Sequence, residues 1–355
     1  MKMDTWTDEA ISDFGQRRFH AYPHCNGFAD GGKSIVVGQR EAEGVSLWKV
    51  ELGSGAERMI RRFASGGGGY DVAIETNTMA VVGDGGLWLL DLGEGGEGRM
   101  VVREPAGMTF DGLPSITADG TRAAVMGSVT KEDNAMLLVD LRDGSWREAA
   151  RFGWWANHVQ FSPHDPAWVG LAHEGWVDLV PDRVWAWHAQ QAPGGRCIFD
   201  QASAVPGTLL RVGHEMWCWH DTSALVVAYG SSAAGPRGLY ELYPDGRKPR
   251  LVSEGNRDWH CSASRCGQWA LLDSSGPHDL VGPGTESTRN VSDIVLVNMG
   301  TGARSFVART RCANHPWHPH PVFSPDGEWI VYSEAGSTSE PSGRVHVLKR
   351  TKQHG

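Results

Sequence analysis

The alternation of apolar and polar positions along the chain marks out short β-strands. Segments such as SIVVG, AMLLVDL, ALVVAYG, DIVLVNM and WIVYSE are β-branched or aromatic and bounded by Gly, Asp, Asn and Pro, the composition of strands that end in tight turns. Helical periodicity is nearly absent; only the first fifteen residues have a pattern that accommodates a short helix.

The strands recur in a fixed order: a Gly/Asp turn, an apolar run, a variable loop, a second apolar run ending in Asp-Leu or similar, then a Gly turn. The clearest copy is HPVFSPDGEWIVYSEAGSTSEPSGRVHVLKR at 320–350, and related copies begin near residues 27, 70, 113, 158, 214 and 260. Seven units of roughly 40–55 residues are the spacing of four-stranded propeller blades. The expected fold is therefore all-β, a seven-bladed β-propeller of antiparallel blades forming a single domain over 17–355, with 1–16 as an N-terminal extension. The last copy supplies three strands, so the ring is expected to close with an N-terminal strand around Arg17–Ala21, because an open ring exposes a strand edge.

Composition narrows the function. The 46 glycines and 16 tryptophans fit many tight turns and packed sheets. A net charge of −9 excludes the basic footprint of a nucleic-acid binder. No apolar run approaches a membrane span. The acidic start MKMDTWTDEAISDF lacks the pattern of a secretory signal, and six scattered cysteines fit a reducing compartment. A cytoplasmic location is expected, with no membrane partner.

Candidate chemistry lies in the histidines. His158, His214, His260 and the His318/His320 pair stand at the starts of the innermost strands of the last four blades, which line the central channel of a propeller and converge at one mouth. In RCANHPWHPHPVFSPDG, His318 and His320 are two apart in an extended stretch and face the same way. With His315 and His260 they make an imidazole set that suits Mn²⁺ or Zn²⁺; Cys312 or Cys261 is a possible substitute ligand, which would favour Zn²⁺. His158, His173, His214 and Arg183 form the expected catalytic group beside it. In the first blade, His20, His24 and Asn26 of FHAYPHCNGF either reach the channel mouth or help close the ring.

At these residues the sequence resembles the oligogalacturonate lyase family and, more distantly, the ulvan-type propeller lyases. The matching pieces are HVQFSP with HEG (158–163, 173–175), RVW (183–185), GHEMW (213–217), HCSAS (260–264) and HPHPVFSPDG (318–327), all within the last four blades. The resemblance implies His214 as general base, His260, His318 and His320 as metal ligands, and Arg183 as a substrate-binding arginine. The family's fourth ligand is a Gln where this chain has His315. Gln160, Arg183 and Trp217 are the expected substrate contacts, and Trp176, Trp185 and Trp317 flank the same motifs. The implied activity is β-elimination on uronic-acid oligosaccharides, most simply oligogalacturonate, with a divalent metal. A lyase of another uronate glycan, and a non-catalytic carbohydrate- or protein-binding propeller with a structural metal, are the alternatives.

Overall fold

The computed structural model describes residues 5–93, 98–202, 207–276, 290–336 and 342–351. Its strands form seven antiparallel sheets. Six follow the chain in order, and the seventh joins the two ends of the chain. Blade 1 runs from Arg18–His20 to Glu57–Phe63, blade 2 from Gly66–Ala73 to Gly98–Arg103, blade 3 from Thr109–Phe110 to Trp146–Phe152, and blade 7 joins Val322–Phe323, Trp329–Ala335 and Gly343–Thr351 to Thr5–Ala10. Blade 4 runs from Ala156–Phe161 through Trp168–His173 and Val184–His188 to Ala192–Cys197. Blade 5 runs from Val212–Trp217 to Arg250–Glu254, and blade 6 from Asp258–Ala263 to Arg304–Arg311. The expected seven-bladed propeller is borne out. Among the described residues no helix is long and apolar enough to cross a membrane.

The apolar core lies between blades. Val81 and Leu90 of blade 2 pack with Phe19 and Leu47 of blade 1, while Val125 and Leu137 of blade 3 pack with Val82 and Leu87 of blade 2. Leu225 and Val227 of blade 5 meet Ala270 and Leu272 of blade 6. At the seam, Ile35 and Val37 of blade 1 meet Val331, Val345 and Val347 of blade 7. Burying such a side chain stabilises the fold by about 1.5–3 kcal/mol, so each blade is stable because both neighbours cover its faces.

An N-terminal strand closes the ring as expected, but it comes from an earlier segment than Arg17–Ala21. Thr5–Ala10 pairs with Gly343–Thr351 over six residues, from Thr5 opposite Thr351 to Ala10 opposite His346, so these six residues of the expected extension 1–16 belong to a blade. Its first four residues lie outside those described. Arg18–His20 is instead the innermost strand of blade 1, paired with Val37–Gln39. The reason is burial: Arg18, Phe19 and His20 are all inside, and Arg18 meets Glu57 at 2.5 Å, whereas Thr7–Ala10 is exposed and suits an outer edge. The helix expected near the N-terminus is reduced to one 3₁₀ turn, Phe14–Gln16.

Side chains lock this closing strand. Asp8 accepts from Tyr332 Oη at 2.9 Å and from His346 Nδ1 at 3.0 Å. His346 Nε2 reaches Glu334 at 2.8 Å, and its ring stacks on Tyr332 at 4.9 Å between centroids. Burial opposes the charge on His346, but Asp8 and Glu334 outweigh it and raise the imidazole pKa above its ordinary 6.5. His346 and Arg344 in turn hold Glu334 down at about 2 against burial.

The sign of the pH dependence follows from linkage. The histidine contribution is complete below 6.5 and is lost as pH rises through the raised value. The Glu334 contribution is complete above its ordinary 4.5 and is lost as pH falls towards 2. Hydrogen exchange of the Thr5–Ala10 amides, corrected for intrinsic rate, should therefore be slowest between pH 4.5 and 6.5. His346→Gln should remove the alkaline limb; protection that stays flat across pH 6.5 in the unaltered protein would show that the imidazole does not hold the strand.

Candidate active site at the channel mouth

Each innermost strand on one side of the ring is bulged where its histidine stands. The register slips between Asn157 and Gln160 in blade 4, Gly213 and Met216 in blade 5, and Asp258 and Cys261 in blade 6. A bulge adds one residue and re-aims the side chains around it. His158, His214 and His320 also take left-handed backbone angles, with φ of 53°, 58° and 48°. This region costs a non-glycine residue about 1–3 kcal/mol and recurs at functional sites. The imidazoles turn inward onto a cavity of about 670 Å³ lined by Tyr22, His158, Glu174, Arg183, His214, Tyr229, His315 and His320, a size suited to a small ligand.

Four of the sequence-predicted residues gather at one side. His260, His318 and His320 each place a ring nitrogen within 4.8 Å of the others. Nε2 of His260 lies 3.2 Å from Nε2 of His320. His315 stands exposed at the lip, its ring 4.2 Å from that of His318. The buried Asp273 organises the cluster: it accepts from His260 Nδ1 at 2.8 Å and from the backbone amides of His260 and His320 at 2.8 and 3.0 Å. With Nδ1 engaged, His260 Nε2 presents its lone pair to the cluster, which is how carboxylates orient metal-binding histidines. The buried Nδ1 of His318 has no hydrogen-bond partner. Burial pushes the Asp273 carboxyl up to about 6, and it lowers His318 to about 4 with help from His315. Burial likewise holds His260 and His320 well below the ordinary imidazole value. Three neutral imidazoles with converging nitrogens and a carboxylate behind them fit a divalent cation.

The thiols do not join this set. Cys261 donates to the carbonyl of His214 at 3.1 Å, and burial raises its pKa well above the thiol range; burial also raises Cys312 to about 12. A second group, Cys218, His220 and Glu241, lies elsewhere on blade 5. Its carboxylate is already held by Arg250 at 2.7 Å and Ser223 at 3.0 Å.

His214 packs against His260 with ring centroids 3.9 Å apart and the rings tilted by 55°, and its Nδ1 is 2.8 Å from the Tyr22 hydroxyl. Burial above all, then the neighbouring His260 and the charge on Arg183, hold its pKa well below the ordinary imidazole value, so the ring is neutral.

Arg183 differs from expectation. Its fork is not open but lies on Glu174, with nitrogens 2.8 and 3.0 Å from the two carboxylate oxygens. Nε faces the fully buried Glu215 at 3.7 Å. His158 completes the network, 3.0 Å from Glu215 and 3.5 Å from Glu174. Burial opposes ionisation of Glu215, but Arg183 and His158 hold its carboxyl far below the usual range.

Three expected site residues lie outside the cavity. His173 points away, 2.8 Å from Asp182 and packed against Trp154 at 4.4 Å between ring centroids. Neighbouring residues on a strand face opposite ways, so in HEG it is Glu174 that enters the site. Gln160 is a clip between blades, donating to Glu215 O at 3.0 Å and accepting from Trp217 N at 3.1 Å. Trp217 is buried against Trp168 and Ala186, because its indole occupies the space left by Gly170. Trp185 and Trp317 donate to backbone carbonyls within the fold, at 2.6 and 3.2 Å, leaving Trp176 as the exposed member of the four. The first blade contributes more than expected. Tyr22 enters the site, and His24 sits beneath it, 5.2 Å from His158 between ring centroids, with both ring nitrogens buried and unpartnered. Tyr22, Glu174, Glu215, Tyr229 and Asp273 were not singled out in the sequence. Only the repeated His-Glu pair, at 173–174 and 214–215, was a usable signal.

No family model matches the chain. Over 209 residues it is 24% identical to the oligogalacturonate lyase of Dickeya dadantii (strain 3937), covering 56% of this chain and 51% of that protein. Over 211 residues it is 23% identical to the oligogalacturonide lyase of Pectobacterium atrosepticum, with the same coverage. Thus the chain spans about half the length of the curated relatives it matches. A solved oligogalacturonate lyase in complex with manganese superposes with a TM-score of 0.81 at 18% identity, covering 98% of this chain and 97% of that one. The Vibrio parahaemolyticus oligogalacturonate lyase gives 0.79 at 15% identity, covering 97% of both chains. This chain is similar to the oligogalacturonate lyases. The likeness to the solved lyases extends around the whole ring, where the motifs quoted from the sequence covered only the last four blades.

The buried network makes a stability prediction. Glu215→Ala leaves Arg183 with one carboxylate partner and should destabilise the protein by about 3–5 kcal/mol, the cost of breaking a buried ion pair. A urea-denaturation midpoint measures this, and a loss below about 1 kcal/mol would place the pair among those that contribute little.

Proposed function

We propose that this protein is a lyase that cleaves uronic-acid oligosaccharides, oligogalacturonate first among them, by metal-assisted β-elimination. The observation that carries the reading is the placement of a neutral histidine, His214, directly against a three-imidazole cation site whose His320 lines the same cavity as His214. The similarity to oligogalacturonate lyases supports the same substrate class.

The chemistry explains why these groups belong together. The C5 proton of a uronide is too weakly acidic to remove unless the adjacent carboxylate is neutralised. His260, His318 and His320 would hold the cation, with His315 at the lip; Mn²⁺ and Zn²⁺ both suit imidazole nitrogen. A bound divalent cation supplies Lewis acidity that stabilises the negative charge developing on the substrate carboxylate. His214 takes the C5 proton, and the oxygen at C4 departs to leave a 4,5-unsaturated uronate. The positive charge of Arg183 favours the unprotonated His214 and lies in the cavity wall, where Glu174 and Glu215 hold it. Its contribution is a fixed field, with no open fork to grip a carboxylate. Trp176, 80% exposed between cavity-lining Gly175 and Val177, is placed to stack on a sugar ring at the rim.

Two measurements test the reading. Ultraviolet absorbance of the conjugated product should rise on oligogalacturonate in the presence of Mn²⁺ or Zn²⁺ and cease with chelator. His214→Ala should lower kcat by about 10²–10⁴-fold, the usual contribution of a positioned base, with an unchanged melting temperature. No absorbance rise on any uronide with either metal would sink the lyase assignment, and full activity of the mutant would sink His214 as base. Trp176→Ala should raise KM by about three- to tenfold, equivalent to about 1 kcal/mol of aromatic packing, while kcat stays constant; an unaltered KM would remove Trp176 from the substrate path.

A further inference from the structure

Blade 1 sends one side chain across the channel to the candidate base of blade 5. Tyr22 Oη lies 2.8 Å from Nδ1 of His214, a contact spanning 192 residues of sequence. Among the described residues it is the hydrogen-bond partner recorded for that imidazole. The phenol cannot easily swing away, because its ring is packed against His24 at 4.9 Å, His320 at 5.0 Å and His158 at 5.1 Å between centroids. Pro23 follows it and restricts the backbone. His214 is equally confined, with the tilted ring of His260 3.9 Å away between centroids, Tyr229 set edge-on at 5.7 Å, and a backbone φ of 58°.

A neutral imidazole carries one ring proton, and the partner of one nitrogen decides whether the other is a donor or an acceptor. If Nδ1 carries the proton, Nε2 is left with a lone pair. If Tyr22 instead donates to Nδ1, Nε2 bears hydrogen and cannot act as a base. We propose that Tyr22 is the positioning residue for His214: its hydroxyl oxygen accepts the Nδ1–H, fixing the tautomer whose Nε2 is free to take a proton. This rests on the lyase reading of the site and adds a residue to it from the blade that the sequence motifs left silent. In the step itself, Nε2 forms a bond to the C5 hydrogen and the C5–H electron pair becomes the new C4–C5 π bond. The C4–O bond breaks with its electrons going to the leaving oxygen, and the imidazolium keeps its Nδ1–H on Tyr22. The phenol hydrogen remains on Tyr22 throughout.

The tautomer can be read independently of activity. Two-bond ¹⁵N–¹H correlation of ring-labelled histidine in the diamagnetic protein, with His214→Ala used to assign the signal, should show His214 protonated at Nδ1. In Tyr22→Phe the signal should move to the Nε2–H form that free imidazole side chains prefer. In turnover, Tyr22→Phe should lower kcat on the order of 10²-fold, the cost of a reacting group misplaced by about 1 Å, with KM unchanged and an enlarged isotope effect for C5-deuterated substrate. An Nε2-protonated His214 in the unaltered protein, or a tautomer unmoved by Tyr22→Phe, overturns the proposal while leaving the lyase reading intact. A protein that eliminates no uronide overturns the lyase reading, and the tautomer measurement still decides what Tyr22 does to His214.

Discussion

Everything at the channel mouth depends on the six-residue pairing of Thr5–Ala10 with Gly343–Thr351. A propeller blade has two apolar faces and is stable only when both are covered, so the ring must close on itself. Closure brings the two ends of the sequence together. His20 Nε2 meets the carbonyl of Pro319 at 3.0 Å across 299 residues, and Trp317 donates to the carbonyl of Arg18 at 3.2 Å. Blade 1 delivers Tyr22 to the mouth, and the segment entering blade 7 delivers His318 and His320. If the seam opened, the base would lose its phenol partner and the imidazole cluster would lose its rigid frame.

Within that frame the site is assembled by local departures from regular β structure. An unbulged strand sends successive side chains to opposite faces, and the contrast between the two His-Glu pairs shows what the bulge changes. In blade 4 the pair at 173–174 sits at the end of a regular strand, so His173 turns outward to Asp182 and Glu174 turns inward to Arg183. In blade 5 the pair at 214–215 sits on a bulge, so His214 lines the cavity while Glu215 is buried beneath it against Arg183. The same dipeptide thus supplies a candidate base in one blade and a charge clamp in the next.

Burial sets the electrostatics of the cluster. Removal from water is the leading cause of the lowered pKa of His214, His260, His318 and His320, and it favours the neutral imidazoles that both a base and a cation ligand require. The buried carboxylates are treated differently. Glu215 stays ionised beside Arg183, whereas Asp273 is pushed up to about 6 and is stabilised by two backbone amides and the Nδ1 of His260. The positive charge is therefore carried by Arg183, in the cavity wall and paired with Glu174 and Glu215.

Local pattern and composition determined the repeat, the seven blades and the innermost-strand positions of the histidines, because strand alternation and glycine turns are read from neighbouring residues. The His318/His320 pair and His260 were legible for the same reason: a spacing of two on an extended segment gives one facing direction. The tertiary structure decided the rest. Thr5–Ala10 became the closing strand because only the assembled ring reveals which segment is buried and which is edge. Trp217 and Gln160 went to inter-blade packing, and Arg183, expected as a substrate-binding arginine, is paired with Glu174, because such contacts join residues that are apart in sequence. Tyr22 and Asp273 entered the site without any motif. Their roles come from long-range distances, 192 residues to His214 in one case and 47 to His320 in the other, and such proximity exists only once the chain has closed on itself.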